Sequence, residues 1–131
     1  MERLGLGPDV LCGLNPRLIY ARMTGFGQGG ESGVEKAAGH DINYIAVSGA
    51  LSTLRSHGQA PQPPINLLGD FAGGGLMCAM GVLLALLERH NSGQGQVVDA
   101  AMTDGAAYVS SFVYRAHLFG QWKNDLDTVV S

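Results

Sequence analysis

The sequence predicts an α/β protein, on three observations. Two short segments, residues 17–24 and 96–101, are rich in β-branched and aromatic residues and read as strands. Between them lies a long uncharged stretch, residues 71–87, of helical character. Helical patterning also follows each strand, so strand, helix, helix, strand and helix alternate. In chain order, residues 3–7 predict a short helical turn, and Pro8 suits the first position of a second one, with Asp9 in its first turn. Asn15-Pro16 breaks the chain before the first strand, and residues 25–38 form a glycine-rich loop. A helix over residues 41–47 follows, then a loop carrying Ser56-His57-Gly58 and the turn-forming Pro61-Gln62-Pro63-Pro64. The longest helix spans residues 70–90 and ends at Asn91-Ser92-Gly93. Leu76, Met80, Leu83, Leu84 and Leu87 form one apolar stripe on it; Met77, Val82, Ala85 and Leu86 make its other faces apolar, which predicts burial all round. A last helix is expected over residues 103–118, with Asp104 in its first turn.

At 131 residues, 46% hydrophobic and 15% charged, the chain has the composition of one packed domain. Its net charge of −3 and only 8 scattered Lys and Arg residues argue against a nucleic-acid surface. The 2 cysteines, Cys12 and Cys78, form no CxxC unit, which disfavours a disulfide framework or a zinc site and points to a reducing compartment. Residues 71–87 are near the lower limit for a membrane span, but their four glycines and the flanking Asp70 and Glu88-Arg89 favour a core helix. Two strands make a poor sheet, and a buried helix of this length needs neighbours on all sides. The sequence also starts within a helical pattern and stops at Thr128-Val-Val-Ser131 without a terminating signal. It therefore reads as part of a larger enzyme.

Three motifs bear on chemistry. Gly25-Phe-Gly27-Gln-Gly29-Gly30 is a literal GxGxxG after a strand, but Glu31-Ser32-Gly33 follows where a phosphate-binding helix would open, so a surface loop is the better reading. His40 lies between Gly39 and Asp41 at a helix start, where backbone N–H groups could receive an oxyanion. Thirty positions later Asp70 stands before the long helix, followed by Gly73-Gly74-Gly75, a costly run in a helix unless something must lie against bare backbone. Read alone, both residues are first of all helix caps. His57, His90 and His117 have no i, i+4 partners, so no metal site is expected. Asp99 and Asp104 read as structural.

Taken together, Glu2–Pro8 (ERLGLGP), residues 15–22, Gly25-Phe-Gly-Gln28, residues 38–44 (AGHDINY), residues 66–75 (NLLGDFAGGG), residues 93–100 (GQGQVVDA) and Met102 resemble the family III CoA-transferase superfamily, and within it the α-methylacyl-CoA racemases. The resemblance implies an enzyme that interconverts R and S 2-methylacyl-CoA thioesters by removing and returning the α-proton through an enolate. No metal or redox cofactor is implied, coenzyme A being part of the substrate. It makes His40 and Asp70 the acid/base groups on opposite faces, with Asp41 supplying a backbone N–H to the enolate oxygen, Tyr44 lining the pocket and Arg3 meeting the CoA phosphates. Residues 1–131 would be a partial domain lacking the N-terminal Rossmann-like start and a C-terminal region that supplies a glutamate beside the histidine. The parent would be a homodimer of fatty acid metabolism with no nucleic-acid or membrane partner, cytoplasmic in a bacterium and mitochondrial or peroxisomal in a eukaryote. Two alternatives stay open: a CoA-transferase with Asp70 as covalent carrier, and a non-catalytic remnant. The acyl chain is not specified.

Overall fold

A computed structural model describes residues 1–29, 33–34, 36–56 and 58–122. Gly30, Glu31, Ser32, His57 and residues 128–131, which entered the motif and boundary readings above, lie outside the described residues. A 3-10 turn over Glu2–Leu4 leads into helix α1, Pro8–Leu14, which opens with proline at its first position and Asp9 in its first turn. Strand β1, Tyr20–Thr24, starts later than expected because residues 15–18 close a turn, with Leu18 N–H donating to the Asn15 carbonyl at 2.9 Å. Helix α2, Asp41–Val47, has the expected bounds. A 3-10 turn over Ala50–Thr53 follows. A π-helix, Leu67–Leu76, then continues directly into α3, Met77–Ser92, which ends at the left-handed Gly93. Strand β2, Val97–Ala101, leads straight into α4, Met102–Val109, and α5, Ser111–Leu118.

The architecture is α/β, as expected. Strands β1 and β2 pair in parallel, from Tyr20 opposite Val97 to Thr24 opposite Ala101. Parallel pairing requires a crossover, and α2, the π-helix and α3 supply it. The core is small: Ile45, Ala50 and Ala106 are buried, with Leu51, Leu54 and Leu68 packed around them.

Backbone contact, rather than large side chains, joins the π-helix to α4. A Cβ on Gly73 would lie 2.6 Å from the Ala106 nitrogen, and one on Gly105 would lie 1.9 Å from the Gly73 carbonyl oxygen. Gly74 is similarly occupied by Met102 and Met23. Gly73 is therefore bare for the backbone of a neighbouring helix, and Gly74 for the side chains of Met102 on α4 and Met23 on β1.

Three further expectations are corrected. The long helix begins at Leu67, where Leu67 N–H donates to the Pro64 carbonyl, so Asp70 is inside the first turn and is not the cap. Nor is the helix buried all round: Gly69, Gly73, Gly74 and Ala85 are buried, whereas Leu76, Met80, Leu83, Leu84 and Leu87 are exposed. The reason is that among the described residues two strands and α4 cover one side only; Gly81, for example, faces Val98. By length and composition alone Leu67–Ser92, with a mean hydropathy of 1.8 over its most apolar window, is long and apolar enough to cross a membrane. Finally, the helix expected over residues 103–118 is broken at Ser110 (φ −90°, ψ 3°), where serine competes poorly for helical geometry. The bend accompanies a hydrogen bond from the Tyr114 hydroxyl to the Ser48 carbonyl, 2.5 Å long.

Candidate active site

His40, Tyr44 and Asp70 line one cleft of about 450 Å³, together with Met23, Gly39, Phe71, Gly75 and Met102. That volume suits a small-molecule group. The cleft lies at the carboxyl ends of the two parallel strands, with Met23 near the end of β1 and Met102 directly after β2, the usual location for ligands in open α/β sheets.

His40 is the N-cap of α2, with extended backbone at φ −127° and ψ 171°, and its side chain is exposed. Its N–H donates to Asn43 Oδ1 at 2.9 Å, which anchors the helix start. Tyr44, one turn on, fixes the preceding residue: its hydroxyl donates to the Gly39 carbonyl at 2.6 Å. The ring fits only because Gly25 and Gly39 lack side chains, since a Cβ there would lie 2.2 and 2.8 Å from Tyr44 Cε1. Phe26 meets the same ring edge-on, with centroids 5.2 Å apart. The Tyr44 phenol is pushed above its ordinary value, first by burial and then by the negative charge of Asp70.

Asp70 is half-buried and held at both ends. Asn66 Nδ2 donates to its Oδ2 at 2.7 Å, and its own N–H donates to Asp41 Oδ2, also at 2.7 Å. The Asn66 contact follows i, i+4 helical spacing and was available to sequence reasoning. The Asp41 contact spans 29 positions and had no local signal. Met23, Phe71 and Met102, which make the cleft wall apolar, were also not singled out as site residues; their places at strand ends and beside Asp70 are the signal that could have found them.

Arg3 is not brought to this cleft. It lies exposed on the 3-10 turn and has no hydrogen bond or ion pair among the described residues. Its neighbour Glu2 instead pairs with Arg22, which also donates to Gln28 Oε1. Residues 25–29 after β1 form no helix or strand, and Gln28 N–H donates to Asp99 Oδ2 at 2.8 Å, giving Asp99 the structural role expected. No group of three or more His, Cys, Asp or Glu side chains able to hold a metal occurs among the described residues. The cleft thus presents one imidazole and one carboxylate to an apolar space, an arrangement able to take a proton from a bound carbon acid and give one back.

Comparison with known proteins places the chain among its relatives. The chain is 56% identical to the α-methylacyl-CoA racemase of Mus musculus and 54% identical to that of Homo sapiens, over 123 residues in each case. Each alignment covers 94% of this chain and 32% of the relative, so the chain spans about a third of the length of these proteins. The crystal structure of Rv3272 from Mycobacterium tuberculosis superposes with a TM-score of 0.75 at 39% identity, covering 90% of this chain and 33% of that one. Rv3272 is named a probable fatty acyl-CoA transferase. The sequence pattern of CoA-transferase family III matches residues 1–126, and the chain belongs to that family.

Proposed function

We propose that this chain carries the acid/base pair of an enzyme that racemises 2-methylacyl-CoA thioesters. The observation that supports this most directly is the convergence of His40 and Asp70, thirty positions apart, on one apolar-walled cleft. In one direction neutral His40 removes the α-proton, the C–H electron pair forms a carbon–carbon double bond to the thioester carbon, and the carbonyl π pair moves onto oxygen, giving an enolate. A protonated Asp70 then returns a proton to the opposite face of the carbon as the enolate collapses. The reverse direction exchanges the two roles, and solvent restores the starting protonation states. The Asp41 N–H at the start of α2 is the donor assigned to the enolate oxygen. Tyr44 shapes the pocket, and Arg3, exposed and unengaged among the described residues, is assigned to the CoA phosphates. Coenzyme A enters as part of the substrate, with no separate cofactor. The functional unit is assigned as a homodimer without membrane or nucleic-acid partners.

The test is incorporation of deuterium at the α-carbon of 2-methylacyl-CoA in deuterated water. His40→Ala and Asp70→Asn should each lower exchange by at least about 100-fold, the contribution of a positioned acid or base. Exchange at the wild-type rate in both variants refutes the assignment. A second reading, CoA transfer through a covalent Asp70 adduct, draws on the family and on the likeness to a probable fatty acyl-CoA transferase. A mass increase on Asp70 after incubation with acyl-CoA would select it.

A further inference from the structure

Asp41 is an expensive residue for its surroundings. It is 3% exposed, yet its Oδ1 has no hydrogen-bond partner among the described residues. A buried carboxylate oxygen left unmatched is costly, and an apolar side chain or an amide would lower that cost. Its other oxygen makes a single bond, to the N–H of Asp70 at 2.7 Å. Room for that bond is kept by Gly69, where a Cβ would stand 2.8 Å from Asp41 Oδ2 and 2.9 Å from its Cγ.

The two ends of this link are the notable point. Asp41 follows His40 directly in the chain, and the bonded N–H belongs to Asp70 itself. One carboxylate therefore joins the start of α2 to the first turn of the π-helix at the residues next to, or part of, the proposed acid/base pair. Around it, Asn43 holds the His40 N–H and Asn66 holds the Asp70 carboxylate. These two bonds lie within single helices; among the described residues the Asp41 bond is the one that crosses between them.

We infer that the Asp41 carboxylate is a positioning residue that sets the placement of Asp70 relative to His40 across the cleft. Its catalytic consequence rests on the proton-transfer reading above; the link itself does not. A misplacement of about 1 Å between reacting groups can cost about 100-fold in rate. Asp41→Ala removes the acceptor. Asp41→Asn keeps an oxygen that can accept the same N–H.

The link is read first by NMR, as hydrogen exchange of the Asp70 amide, which the Asp41 carboxylate should protect in the wild-type chain. That amide should exchange at least about tenfold faster in Asp41→Ala and regain protection in Asp41→Asn. An Asp70 amide that is unprotected in the wild type, or equally protected in Asp41→Ala, overturns the inference. The catalytic consequence is read by α-proton exchange. Asp41→Ala should lose about 100-fold in turnover with KM for the thioester changed less than about twofold, and Asp41→Asn should recover to within about tenfold of wild type. Turnover in Asp41→Ala equal to wild type also overturns it. Absence of α-proton exchange in the wild type with a protected Asp70 amide refutes the racemase reading and leaves the link standing.

Discussion

Gly105→Ala tests the claim that bare backbone joins the π-helix to α4. The new methyl carbon would lie 1.9 Å from the Gly73 carbonyl oxygen, 2.6 Å from its carbon and 2.7 Å from its Cα. None of these atoms belongs to a flexible side chain, so the two helices must move apart until the closest approach reaches at least 3.4 Å. Alanine improves helix propensity by about 1 kcal/mol, while overpacking against an obstacle costs about 1–3 kcal/mol. Because the obstacle is main chain, the upper end applies, and the net loss is about 2 kcal/mol. With a urea m-value of about 2 kcal/mol/M, the midpoint should fall by about 1 M. Gly13→Ala is the matched control, since nothing stands within 4 Å of its Cβ and its helix α1 is exposed. That variant should hold or raise the midpoint, by up to about 0.5 M. A Gly105→Ala midpoint equal to or above wild type would show that the helices are not in backbone contact.

Two further outcomes follow from burial. Ile45→Ala, at a side chain with 0% exposure, should cost about 3 kcal/mol in urea unfolding, while Leu84→Ala, at 58% exposure, should stay within about 0.5 kcal/mol of wild type. The Tyr44 phenol, raised by burial and by Asp70, should ionise above the usual value of about 10 when followed by phenolate absorbance, and Asp70→Asn should bring it part of the way back. Between the unfolded and folded values the native state holds more protons than the unfolded one, so stability contributed by Tyr44 is intact below about pH 10 and is lost as pH rises through the folded value. Tyr44→Phe should flatten that alkaline decline; an unchanged slope would place the titration elsewhere.

Much of the fold was legible because its signals are local. Branched and aromatic residues marked β1 and β2 to within three residues, and Asp41–Val47 was read at its observed bounds. The start of the long helix was misread because two cap residues compete: Asp70 was taken for the cap, whereas Asn66, equally suited by type, holds that place and Leu67 N–H turns back to the Pro64 carbonyl. Its exposure was missed for a different reason. Apolar residues on every face say that a helix can be buried all round, but the described neighbours reach only the Gly69, Gly73, Gly74 and Ala85 side.

The site shows the same division more sharply. His40 and Asp70 could be picked out by residue type and by motif, yet what holds them could not. The glycine run 73–75 suggested ligand contact, but α4 takes Gly73, and Met102 and Met23 take Gly74, leaving only Gly75 to line the cleft. Conversely, Gly25 belonged to a loop motif with no assigned ligand, and it is the residue whose missing side chain admits the Tyr44 ring beneath Gly39. Glycine in a sequence marks a place where something comes close; whether that is a helix, a ring or a substrate depends on packing between distant segments. The Asp41 carboxylate makes the point energetically. A sequence reading assigned Asp41 only its backbone N–H, as a helix-start donor, whereas the fold buries its side chain at a cost and spends it on the Asp70 N–H. A group that costs stability, directly follows the proposed base His40 in the chain and accepts a hydrogen bond from the N–H of the proposed acid Asp70 is better explained by the geometry of proton transfer than by the stability of the fold.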